Sequence, residues 1–173
     1  MFTTRARILV IGAFVIMLAV AVNMRVYEIA AVVAMFIALL IWGYFKEGTI
    51  ILAAKAFHQK NYDKAEALLL QVPNPAWLSK KRRGFYEFIF GGICLQKQDF
   101  NEAEKHYEIA AQYPLRSAND HVAALVHVAN ISIRQNNFEK AKAYLQLAEK
   151  HEEKITAKMK EVIKRLHEEL DKK

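Results

Sequence analysis

Cysteine, proline and glycine are scarce in this chain of 173 residues, with one, three and six copies respectively. The single thiol, Cys94, permits no internal disulfide and cannot anchor a cysteine-rich metal site, which is in keeping with a reducing compartment. The six histidines, His58, His106, His121, His127, His151 and His167, form no HExxH pair, so no metal is expected. The glycines never gather into a phosphate-cradling loop, and Gly91 and Gly92 lie inside a helical stretch, where close packing is the plainer cause. Ser117, Asp120 and His121 are the right residue types for a nucleophilic triad, but they are crowded into one helix start, where capping is the simpler role. No catalytic residue, cofactor or small-molecule substrate is expected, and the chain does not read as an enzyme.

Charge is missing too, from Ile8 to Met24 and again from Ile29 to Phe45, although a quarter of all residues are Asp, Glu, Lys or Arg. Each uncharged run has 17 residues, and a helix of that length spans about 25 Å, the short end of what crosses a hydrocarbon core. Separated only by residues 25–28, the runs read as a transmembrane helical hairpin over residues 1–46, because the rest of the chain is too charged to cover apolar surface on every side. As an alternative, Arg5, Arg7, the apolar stretch that follows and Ala19-Val20-Ala21 satisfy a cleavable signal peptide. Arg5 and Arg7 precede the first run and Lys46, Lys55 and Lys60 follow the second, whereas the turn holds Arg25 beside Glu28; the positive-inside rule then places both ends in the cytoplasm. Trp42 and Tyr44 suit an interfacial anchor, with a plain lipid-facing or packed ring as the other reading. The expected location is an integral membrane protein of two spans, in a bacterial inner membrane, that contacts lipid through those spans.

Beyond the apolar opening, one phrase occurs three times. NYDKAEALLL, DFNEAEKHYE and NFEKAKAYLQ align Tyr62 with Phe100 and Phe138, and Ala65 with Ala103 and Ala141, at a constant interval of 38 residues. Upstream, Ala53, Gly91 and Ala129 keep the interval, as do Ala56, Cys94 and Ser132; downstream come Leu69, Tyr107 and Leu145, then Val72, Ala110 and Ala148. Apolar spacings of three and four on both sides of Asn61, Asp99 and Asn137 give each copy two helices about a tight turn, with the Asn or Asp suited to cap the second. Pro73, Pro75 and Pro114 fall in the joints between copies, where they break helices at no loss. Ser117 and Asp120 resemble a capping box that opens the third copy.

A small residue in the first helix (Ala53, Gly91, Ala129), an aromatic residue directly before the second (Tyr62, Phe100, Phe138) and Ala three residues later (Ala65, Ala103, Ala141) resemble the tetratricopeptide repeat. The resemblance covers roughly residues 48 to 151. It departs from the family in a period of 38 instead of the usual 34, and in a terminal proline that is displaced or, in the third copy, missing; related helical repeats are the competing assignment. Either family implies a right-handed stack of antiparallel helix pairs. In tetratricopeptide arrays the first helices line an inner groove, and the resemblance implies a peptide groove made by Phe85, Phe88, Gln96, His127, Asn130 and Arg134. Asn130 and Arg134, one helical turn apart, could read a peptide backbone or carboxylate, or could be solvated groove residues. The paired Lys and Asn of chaperone-binding members have no match at Glu47, Ile50 or Ala54, which argues against a chaperone-tail receptor.

Two segments stand apart from the repeats. In the tail, Ile155, Met159, Val162, Ile163, Leu166 and Leu170 make one apolar helical face, suited to cap the stack, or else to dock a partner or lie on a membrane. The basic run Lys80, Lys81, Arg82 and Arg83 could meet anionic lipid or an acidic partner, or be a solvated helix start; without interleaved aromatics it is not a nucleic-acid platform. The expected architecture is therefore all-α: a transmembrane hairpin (1–46), a three-unit tetratricopeptide-like solenoid (47–151) and an amphipathic capping helix (152–173). The expected function is a membrane-anchored scaffold or adaptor that binds protein partners at the cytoplasmic face. The alternative is a constitutive accessory subunit of a larger membrane complex, held by its hairpin.

Overall fold

The computed structural model describes residues 4–43 and 49–172, with the backbone alone for residues 4–8, 41 and 152. The chain divides into two compact units, Met1–Gly48 and Thr49–Lys173. All regular structure among the described residues is helical.

In the first unit, α1 (Thr4–Asn23) and α2 (Tyr27–Gly43) form a hairpin. Arg25 takes a left-handed φ of 59°, which lets the Val26 N–H reach the Ala21 carbonyl and the Arg25 N–H reach the Val22 carbonyl, both at 3.0 Å. These are the paired bonds of a Schellman turn. Ala21, Ala30 and Val33 are buried along the seam, and Phe14 stacks on Phe36 with ring centroids 6.2 Å apart.

The second unit contains three helix pairs: α3 (Thr49–His58) with α4 (Tyr62–Leu69), α5 (Lys80–Gln96) with α6 (Phe100–Ala111), and α7 (Ala118–Arg134) with α8 (Phe138–Glu149). The turns within the pairs share one geometry. Lys60, Gln98 and Asn136 have φ of 59°, 63° and 60°, and the next amide in each turn donates back to Ala56, Cys94 and Ser132 at 3.0, 3.0 and 2.8 Å. The residue bearing that amide then caps the second helix: Asn61, Asp99 and Asn137 each accept, through the side chain, the backbone N–H three residues on, at 3.2, 3.1 and 3.3 Å. One side chain thus ends the turn and satisfies an orphan donor of the helix it opens.

The repeated columns are the packing contacts between paired helices. Ala53, Gly91 and Ala129 are buried, as are Ala65, Ala103 and Ala141, so each pair meets through small residues. Leu69, Tyr107 and Leu145 fill the space beside them and are almost fully buried. A methyl group at Gly92 would lie 2.6 Å from the Phe57 ring, and one at Gly84 would lie 2.8 Å from Cβ of Tyr113. The glycines of α5 therefore permit close approach of neighbouring elements, as sequence spacing suggests for Gly91 and Gly92. In the joints, Asn74 caps the 3-10 helix Pro75–Trp77 through the Ala76 N–H at 2.9 Å, and Ser117 caps α7 through the Asp120 N–H at 3.1 Å.

The last helix, α9 (Ala157–Leu170), lays its apolar face on the third pair. Ile163 and Leu166 are buried in one cluster with Val122, Leu125, Val126 and Leu145, with Met159, Val162 and Leu170 around them. Asn119 on α7 accepts both the backbone N–H and the hydroxyl of Thr156, each at 3.2 Å, and so fixes where α9 begins.

The expected transmembrane hairpin is overturned. Among the described residues no helix is long and apolar enough to cross a membrane. The 17 residues of α2 span about 25 Å against a hydrocarbon core of about 30 Å. In α1, which ends at Asn23, the uncharged stretch after Arg7 has only 16 residues, about 24 Å. With the spans go the two-span integral location with cytoplasmic repeats, the lipid contact through those spans, and the accessory subunit held by them. Trp42 is exposed and has no span to anchor. Tyr44, the boundary near Lys46, and Glu47 lie outside the described residues, as do the side chains of Arg5 and Arg7.

Candidate functional site

The six groove residues implied by the repeat pattern fall into three groups. Gln96 and Arg134 are exposed, each as the last residue of a first helix. Arg134 is held by the turn of the preceding pair, its guanidinium carbon 5.6 Å from the centroid of the Phe100 ring, a cation–π distance. Asn130 is half-buried one turn earlier on α7. Phe85 and Phe88 are half-buried and packed: Phe85 joins the core around Ile50, Ala53 and Leu69, and Phe88 meets Tyr107 edge-on at 5.6 Å. Of the positions compared with chaperone-binding members, Ile50 is fully buried and Ala54 nearly so.

His127 is half-buried and packed among aromatic rings. Its ring stacks on Tyr107 at 4.5 Å, 16° from parallel, and lies 6.3 Å from Phe88. Burial lowers its pKa from 6.5 to about 4, so the ring is neutral at physiological pH. The same desolvation pushes the Tyr107 phenol well above its ordinary range. The register explains the placement: the residue equivalent to His127 in the second pair is Ile89, which is buried.

The basic run is divided by the start of α5. Lys80 and Lys81 are exposed, whereas Arg82 and Arg83 are half-buried. Arg83 Nε lies 2.7 Å from Glu87 Oε1, and the other carboxylate oxygen of Glu87 meets His106 Nδ1 at 2.5 Å. Glu87, only 1% exposed, is thus a buried carboxylate compensated by a cation four residues earlier and by an imidazole from α6. An acid inside the apolar stretch FYEFIF was the available sequence signal for it.

A second polar network, not foreseen from sequence, ties the last two pairs together. The buried Ser132 hydroxyl donates to Glu104 at 2.7 Å, and Lys140 bridges Glu104 and Glu108 at 2.9 and 2.7 Å. In sequence Ser132 was visible as the third member of the small-residue column with Ala56 and Cys94, and it is fully buried. A cleft of about 410 Å³ lies at the α6–α7 joint, lined in part by Tyr113, Ser117, His121, His151 and Lys154. There the His121 and His151 rings meet edge-on at 5.3 Å, and desolvation, followed by the charge of His151, lowers the His121 pKa. The Ser117 hydroxyl faces Asp120 at 2.9 Å, so Ser117 and Asp120 form a cap instead of part of a triad. Among the described residues no three His, Cys, Asp or Glu side chains converge where a metal ion could sit.

The family model of the SusR N-terminal TPR domain matches residues 45–163, beginning four residues before the second unit and ending within α9. No curated protein and no solved structure matches the chain. Tetratricopeptide domains are generally non-catalytic modules through which proteins bind one another. The match spans more than half of the chain and takes in all three helix pairs, so the chain belongs to the family of the SusR N-terminal TPR domain.

Proposed function

We propose that this chain is a scaffold that receives an extended segment of a partner protein along its first helices, α3, α5 and α7. Gln96, Asn130 and Arg134 make its polar contacts and Phe85 and Phe88 lie beneath them. The observation that carries this reading is a repeated polar station. His58, Gln96 and Arg134 are each the last residue of a first helix, stand 38 residues apart, and are all exposed. The next three columns, 59/97/135, 60/98/136 and 61/99/137, are polar and exposed too, but they belong to the turn, whereas 58, 96 and 134 are the last positions of the helices themselves. Stacked pairs turn such a station into a row along the array, suited to the regularly spaced carbonyls or carboxylates of an extended chain. The Phe100 ring holds Arg134 in place, which lowers the entropy lost when that side chain is engaged.

Site-specific photocrosslinking tests the proposal. A photoreactive amino acid at position 96 or 134 is expected to capture the same partner from cells, with both crosslinks mapping to one short segment of it. The same group at Glu139, exposed on a second helix, is expected to capture that segment far less. Equal capture from position 139, or no common partner at 96 and 134, would sink the groove reading.

A further inference from the structure

The positive charge of the second unit is concentrated at one end. Residues 49–97 carry eight Lys or Arg against three Asp or Glu, whereas residues 98–173 carry thirteen of each. Within the first stretch no acidic residue lies between Glu66 and Glu87, and both of these are engaged, Glu66 with Lys97 and Glu87 with Arg83 and His106. Lys80 and Lys81 therefore stand exposed with no acid nearby in sequence to answer them.

The same joint presents the most exposed large apolar side chains described in the second unit. Trp77 is 70% exposed and Leu70 65%, against 43% for Leu147. Trp77 is not loosely held. Its backbone N–H donates to the Asn74 carbonyl at 3.1 Å, and the next amide, that of Leu78, donates to the Pro75 carbonyl at 3.2 Å. Val72 and Leu78, on either side of the 3-10 helix, are buried in the first core cluster. The backbone is fixed from both sides while the indole is offered to solvent, at a cost in exposed apolar surface that folding alone does not explain.

We infer that the α4–α5 joint is a second docking site, for an acidic protein segment that seats one apolar side chain on Trp77 and Leu70 and places its carboxylates on Lys80 and Lys81. A tryptophan on a hydrogen-bonded backbone, three and four residues before two exposed lysines with no acid nearby in sequence, has the makings of a hot spot for a short peptide. It is small for a bilayer surface, where binding grows with apolar area and with the number of basic residues. The site lies at a joint, apart from the row of first-helix ends, and does not depend on that row.

The chain has two tryptophans, so in the full chain carrying Trp42→Phe the emission reports on Trp77 alone. Titration with a nonapeptide of three Glu-Glu-Leu repeats at low salt is expected to shift that emission to the blue and to saturate. Raising the salt from about 0.05 M to about 0.3 M is expected to weaken the binding several-fold, and Lys80→Glu with Lys81→Glu to weaken it by about tenfold or more. No blue shift, or a shift unchanged by the two charge reversals, would overturn the inference. So would a shift produced by vesicles of phosphatidylglycerol and phosphatidylcholine at about 3:7 but not by the peptide. The readout senses only the surroundings of Trp77, so its failure and that of the crosslinks at positions 96 and 134 are separate results.

Discussion

His127 loses its protonated form to its neighbours. Stacked on Tyr107 and close to Phe88, it has few waters to solvate a charge, and its pKa drops from 6.5 to about 4. Between those two values the unfolded chain takes up a proton that the folded chain refuses. The contribution is thus fully present above pH 6.5 and declines as the pH falls toward 4, a loss of roughly 3 kcal/mol at the lower end. Urea unfolding near pH 7 and near pH 4.5 measures it. In His127→Phe, which keeps an aromatic ring against Tyr107, the fall in stability on acidification is expected to be smaller by about 2–3 kcal/mol; an unchanged fall would show that His127 does not set it. Residues at the repeated columns were legible in sequence because three copies reported the same constraint. His127 stands in a column whose member in the second pair, Ile89, is buried, and nothing in the linear pattern signalled that its ring packs against Tyr107.

At the scale of the element, the repeated turn is where sequence and backbone part company. Asn61, Asp99 and Asn137 could be identified as caps, because their side chains do the work of a cap wherever that pattern precedes a helix. The left-handed residue before each cap could not, since the glycine that usually marks it is replaced by Lys60, Gln98 and Asn136. This difference gives opposite expected effects at adjacent positions. Gln98→Gly relieves the left-handed cost and is expected to stabilise the protein by roughly 0.5–1 kcal/mol, whereas Asp99→Ala removes the cap and is expected to destabilise it by about 1 kcal/mol. Chemical denaturation of the two variants against the parent checks both; stabilisation by neither, or by both, would contradict the turn geometry. The first hairpin shows the converse failure. Its apolar composition pointed to membrane spans, but the helices that form are too short in their uncharged parts, and composition alone does not fix helix length.

Across the whole molecule, the three pairs and α9 bury their apolar faces only by stacking on one another, so α9 is part of the fold of the last pair. Leu166→Ala is expected to cost about 2–4 kcal/mol and to lower the unfolding midpoint of the third pair together with α9, while Lys164→Ala, on the exposed side, stays within about 0.5 kcal/mol. Circular dichroism and tyrosine fluorescence followed through the same denaturant series would reveal a separate early melting of α9 if that coupling were absent. Much of this arrangement was legible, since the period of 38, the joints at the prolines and the apolar face of the tail all lie in the linear pattern. The candidate site was less so, because exposure decides it: pattern alone could not separate the open stations at Gln96 and Arg134 from the packed ring of His127. The central claim, that a partner protein is bound along the first helices, is tested most directly by the affinity of the crosslinked partner segment for two double variants. Gln96→Ala with Arg134→Ala is expected to raise Kd by about tenfold or more, and Glu139→Ala with Lys142→Ala to leave it within about twofold; an equal loss from both pairs, or no loss from the first, would contradict it.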